Sequence, residues 1–275
     1  MSVDNEKMYF ETDKGQQKLK ELLHAQDLAE ASENIMAVIF DKTKREELFR
    51  QFLGVETNVD YDWFTRFFHD QLGPTAELMK KNKAYFTPPS LGRLVAKLTG
   101  TQNSSTNDYA RYDPAAGSGQ LTISKWSSDR YSHSPFEYQP SMYFYVAEEL
   151  KEEGKTSRAL PFLLFNYMIR GMDGVVVSGD SLTRSISQIF LIQQPQDDML
   201  SFSDINVMPR TKDVEQTFQV KSWIDEPIKH IEDTEMPSFI SYHLAGQPTP
   251  QERNLMGKLK KMMDVIEKLD NQQYE

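Results

Sequence analysis

The chain has 275 residues, 31 basic and 41 acidic side chains, a formal net charge of −10 and a hydrophobic fraction of 39%. That fraction supports a sizeable core, while the sign of the charge excludes nucleic-acid binding through bulk basicity and leaves such contact to a local patch or a partner subunit. The absence of cysteine excludes disulfides, a thiolate nucleophile and cysteine-ligated zinc, and no apolar run approaches the roughly 20 residues of a membrane span; together with the acidic start Met1–Asp13 this predicts a cytoplasmic protein with no membrane contact.

Gly15 to about Lys83 is predicted helical, because Leu19, Leu22, Leu23, Leu28, Ile35–Ile39, Leu48, Phe49 and Phe52 recur at helical spacing. Trp63, Phe64, Phe67 and Phe68 stand three and four apart and form one apolar stripe, which reads as core rather than as a stacking surface for bases. Phe86-Thr87-Pro88-Pro89 breaks the pattern before helical periodicity resumes over Ser90–Leu98, and Thr101–Asp108 is a polar loop. Tyr109–Tyr112 then leads into Asp113-Pro-Ala-Ala-Gly-Ser-Gly, and Gln120–Trp126 opens a helix.

Met142–Ala147 reads as a buried strand ending at Glu148-Glu149, and Ser157–Arg170 as a helix. Gly174–Ser178 is a strand running into Gly179-Asp180-Ser181-Leu182, and Ile189–Ile192 is a further strand. Strand, glycine-rich turn, helix, strand, helix, strand predicts an α/β protein with a parallel sheet. Asp197 to Glu235 carries ten acids against four bases, and Gln251–Asp270 reads as an amphipathic helix with Leu255, Leu259, Met262, Met263, Ile266 and Leu269 on one face. The expected units are a helical domain over 1–83, an α/β domain over 84–250 and the terminal helix within 251–275.

The chemistry concentrates in the Asp113–Gly119 turn. Two glycines between a strand and a helix let backbone approach a ligand, and a helix N-terminus offers free N–H groups. The turn lacks the third glycine of a dinucleotide fingerprint and the lysine of a phosphate loop, so a ligand with a ribose and a carboxylate suits it better than a pyrophosphate. An acid closing the second strand, Glu148 or Glu149, stands where ribose hydroxyls are held, and Asp180 closes the third.

Taken together, Tyr85-Phe86-Thr87-Pro88-Pro89, Asp113-Pro-Ala-Ala-Gly-Ser-Gly, Glu148-Glu149-Leu150, Asn166-Tyr-Met-Ile-Arg-Gly-Met and Gly179-Asp180-Ser181-Leu182 resemble the gamma-type adenine-N6 DNA methyltransferases. The form most resembled is the modification subunit of type I restriction-modification systems, over roughly Leu72 to Ile192. The resemblance implies a Rossmann-like S-adenosylmethionine-dependent methyltransferase fold behind an N-terminal helical domain. It implies that Tyr85, Phe86, Thr87 and Pro88 contact the methionine part of S-adenosylmethionine. Asp113, Ala115, Gly117 and Gly119 would form the loop beneath it, Glu149 (or Glu148) would hold the ribose, and Asp180 the adenine.

The departure lies after the fourth strand, where the family carries Asn or Asp, two prolines and an aromatic. This chain has Gln193-Gln194-Pro195-Gln196-Asp197 there, which leaves Gln194 and Pro195 as degenerate catalytic candidates; Asn206-Val-Met-Pro209 is the nearest imitation elsewhere. Two readings stay open. One is a DNA adenine-N6 methyltransferase-like protein of the modification-subunit class. The other is a catalytically inactive, acidic descendant, an anti-restriction or regulatory factor that docks on a protein partner through the C-terminal helix or the acidic segment 197–235.

Overall fold

Helix starts in the first third follow local rules. Thr12 accepts from the Gly15 N–H, Asp27 from Glu30 and Asp41 from Lys44, so each side chain satisfies an amide that its helix leaves free. The computed structural model describes residues 8–73, 77, 87–100, 110–155, 157–198 and 200–232. In it these caps open α1 (Asp13–Leu23), α2 (Leu28–Ile39) and α3 (Lys42–Leu53), followed by α4 (Thr65–Leu72) and α5 (Pro89–Gly100). The expected helix Gln251–Asp270, and with it the partner surface read there, lies outside the described residues, as do Tyr85, Phe86, Asp233 and Glu235.

The remainder alternates. It comprises β1 (Ala110–Asp113), α6 (Gln120–Tyr131), β2 (Phe144–Glu149), α7 (Leu160–Ile169), β3 (Gly174–Asp180), β4 (Ser185–Gln193), β5 (Asp204–Val207), α8 (Lys212–Thr217) and β6 (Ser222–Trp223). β1, β2 and β3 are parallel neighbours, with Asp113 opposite Ala147 and Glu149 opposite Ser178, so their carboxyl ends share one edge of the sheet. The architecture is therefore mixed α/β, with helices on a sheet that begins parallel. Among the described residues no helix is long and apolar enough to cross a membrane.

The expectation of a parallel sheet through Ile192 needs correction. β4 runs antiparallel to β3, pairing Gly174 with Ile192 and Asp180 with Ser185. β5 is antiparallel to the end of β4, and β6 runs parallel to its start. Only Ser181 to Arg184 separate β3 from β4, and a parallel crossover requires a dozen or more residues, so the chain turns straight back.

Alternation along the strands divides the core. Tyr145, Ala147, Val176, Phe190 and Ile192 face α7 and the N-terminal helices, while Val146, Val175, Val177, Ile189 and Leu191 face Val214 and Phe218 at α8. α7 is buried around its whole circumference because it lies between sheet and helices. The aromatic stripe is core as expected: Phe64 and Phe68 pack edge-on to Phe162 at 4.8 and 4.9 Å, and Phe52 stacks on Trp63 at 5.8 Å. The helical segment and the α/β segment thus share one hydrophobic core. The buried Arg45 of α3 adds a clasp, reaching Glu232 at 2.7 Å beyond the sheet.

Candidate functional site

The parallel edge brings Asp113, the glycine-rich turn and Glu149 together. β1 ends at Asp113, whose Oδ1 accepts the Ala115 N–H at 3.1 Å and bends the chain out of the strand. The Ala116 N–H donates to the Glu148 carbonyl at 2.9 Å, which fastens the turn to the end of β2. Gly117 has φ +58° and Gly119 φ +105°, the second in a region that only glycine enters readily. A Cβ on Gly117 would meet nothing within 4 Å, so this stretch of backbone is open to an approaching group; on Gly119 it would press on Leu163 at 3.0 Å.

The two candidate ribose acids have different surroundings. With period-two alternation they point to opposite faces of the sheet. Glu149 lies on the face of the turn, and its Oε2 accepts the Gly117 N–H at 2.9 Å. Glu148 is buried on the other face, where it accepts from Arg184 Nη1 at 2.7 and 2.9 Å and from the Tyr112 hydroxyl at 3.0 Å. Glu148 is thus committed to an internal ion pair, and Glu149 is the acid presented to the turn.

Burial sets the electrostatics. Removal from water pushes the Glu149 carboxyl up to about 7, with the Gly117 N–H opposing the rise and the charge of Asp113 adding to it. Asp113 is also raised, chiefly by burial. Its Oδ2 is buried, and the Ala115 N–H and the Thr122 hydroxyl only partly offset the rise. Two carboxyls withdrawn from water beside an open turn, whose own amides are taken up internally, suit a ligand that brings hydroxyl or cationic donors.

The third acid is differently employed. Asp180 Oδ1 accepts the N–H groups of Leu182 and Thr183 at 2.8 and 3.2 Å, closing the β3–β4 turn and holding its carboxyl below the ordinary range. Thr87 and Pro88 precede α5, and the Pro88 carbonyl accepts the first amides of that helix. α5 lies against α6 at Gly92, where an added Cβ would come within 2.4 Å of Ser124 Oγ.

Gln194 and Pro195 are not brought to this edge. Because β4 is antiparallel, its end lies beside the start of β3, at the opposite edge of the sheet from Asp113, Glu149 and Asp180. The Gln194 N–H donates to Asp173 at 2.7 Å. Its side chain accepts from the Gln196 N–H at 2.7 Å and donates to the Asp198 carbonyl at 2.6 Å. That amide serves its own loop. Asn206 is buried in β5, accepting from the Glu232 N–H at 2.7 Å.

Asp62 is not among the site residues expected from the sequence. An acid within Tyr61-Asp62-Trp63-Phe64, a run otherwise bound for the core, is the signal that points to it, since a buried carboxylate has to be partnered. No family model, no curated protein and no solved structure matches the chain.

Proposed function

We propose that the protein binds S-adenosylmethionine at the shared edge of β1, β2 and β3, on a methyltransferase-derived scaffold that does not methylate DNA by itself. The observation that carries this reading is Glu149 set against the Gly117 N–H beneath an open turn, with a second under-solvated carboxyl at Asp113. Glu149 would accept ribose hydroxyls, the backbone of Ala115 to Gly119 would lie under the ligand, and Asp113 would take up a donor group. The cofactor supplies an electrophilic methyl on a sulfonium, and methyl transfer to an adenine amine further requires acceptors for that amine and a face to stack the flipped base.

Gln194 and Pro195, the residues in the family's catalytic slot, lie across the sheet from the turn, and the Gln194 amide is taken up by its own loop. This favours the silent descendant over the active enzyme. The discriminating experiment pairs calorimetry of S-adenosylmethionine binding with a radiolabelled methyl-transfer assay on unmethylated genomic DNA. The expected result is saturable binding with no label on the DNA. Strong labelling by the protein alone would restore the enzyme reading, and absence of binding would remove the cofactor.

A further inference from the structure

The turn is gripped from outside the α/β segment by one acid of the helical segment. Asp62 is wholly buried in the short connection before α4. Its Oδ1 accepts the Phe64 N–H at 3.0 Å and Asn166 Nδ2 at 2.9 Å, and its Oδ2 accepts the Thr65 hydroxyl at 3.1 Å and the Ser118 hydroxyl. Its own N–H donates to Gln120 Oε1 at 3.2 Å. Ser118 and Gln120 flank Gly119, so a single residue holds the turn on both sides of its most unusual backbone angle. Asn166 adds a second bond to the turn, from Nδ2 to the Ser118 carbonyl at 2.7 Å.

The buried charge is balanced nearby. Arg170 donates to Asn166 Oδ1 at 2.7 Å and to the carbonyls of Tyr61 and Val59 at 2.7 and 2.8 Å, and its guanidinium lies 5.1 Å from the centre of the Trp63 ring. Each polar side chain of this group meets a partner, the condition under which a buried network defines one arrangement.

We propose that Asp62 is a positioning residue for ligand binding at the glycine-rich turn. A segment with two positive-φ glycines has wide conformational freedom, and a ligand that had to order it would bind more weakly. Asp62 removes that freedom in advance, so that the open backbone at Gly117 and the Glu149 carboxyl it holds stand ready. The ligand half of this inference rests on the S-adenosylmethionine reading; the tether itself does not.

Ser118→Ala removes the hydroxyl that reaches Asp62 and leaves the other Asp62 contacts in place, and Ser118→Thr restores a hydroxyl. Two readouts apply: hydrogen exchange at the amides of Ala116, Gly117 and Gly119 without ligand, and calorimetry with S-adenosylmethionine. Ser118→Ala should speed exchange at those amides about ten- to hundredfold and weaken binding by a similar factor, the scale of one hydrogen bond to a charged group. The amide of Tyr145, bonded to the Asp173 carbonyl at the far edge, should keep its rate. Ser118→Thr should recover both properties.

Unchanged exchange at the turn would overturn the tether whatever the ligand does, and so would uniform acceleration across the chain. Faster exchange with unaltered affinity would overturn the positioning role. If the unmodified protein takes up no S-adenosylmethionine, the functional reading fails, and the exchange data alone then decide the tether.

Discussion

Glu149→Gln tests the electrostatics of the site without a ligand. The carboxyl ionises at about 4.5 in an unfolded chain and at about 7 in the fold, because burial disfavours its charge. Below pH 4.5 both states hold the proton and the group contributes nothing. As pH rises from 4.5 to 7 the unfolded chain releases the proton and the folded chain keeps it, so stability falls; above 7 the loss is complete. The interval is about 2.5 pH units at about 1.4 kcal/mol each, which makes the loss roughly 3.5 kcal/mol.

Glutamine keeps an oxygen for the Gly117 N–H and does not titrate. The stability of Glu149→Gln relative to the unmodified chain should therefore rise by about 3.5 kcal/mol between pH 4.5 and 8, in favour of glutamine. Urea titrations followed by tryptophan fluorescence at fixed ionic strength, at several pH values across that range, measure it. Taking the difference between the two proteins cancels the similar contribution of Asp173, which burial also raises to about 7. A stability difference that stays constant across the pH range would refute the reasoning.

Gly117→Val should abolish binding of S-adenosylmethionine measured by calorimetry, since its branches would stand in the open space over the turn. At φ +58° the substitution should cost about 1–2 kcal/mol while unfolding stays cooperative. Arg184→Ala strands the buried Glu148 carboxylate and should lower stability by about 3 kcal/mol in urea unfolding. Phe162→Ala, at a fully buried ring touching Phe64 and Phe68, should lower stability by about 3–5 kcal/mol. It should do so in one transition seen alike by far-ultraviolet and near-ultraviolet circular dichroism; two separated transitions would argue against a core shared by helices and sheet.

Much of this protein is written locally. Thr12, Asp27 and Asp41 cap helices because a short polar side chain before a helix satisfies its first amides wherever the helix goes. The stripe of Trp63, Phe64, Phe67 and Phe68 has to be buried in any fold, and a strand followed by Asp-Pro-Ala-Ala-Gly-Ser-Gly has to bend sharply into a helix. The direction of β4 was also within reach, since a gap of a few residues after Asp180 is too short for a crossover. The largely polar start of β4, Ser185–Gln188, hides that hairpin, because only Ile189–Ile192 carries a strand-like apolar run.

Other features depend on residues far apart in the chain. Adjacent glutamates are equivalent in a sequence; the pleat sends Glu149 to the turn and Glu148 to Arg184, and the identity of each face depends on which helices cover it. Gln194 follows an apolar strand like a catalytic motif, yet strand polarity puts it at the other edge of the sheet. Asp62 meets Ser118 across 56 positions and Asn166 across 104. Local propensity acts over a few residues and carries no information about such pairings. They exist only because the aromatic helices and the sheet close on one core, which brings those polar groups out of water together and obliges them to bond to one another.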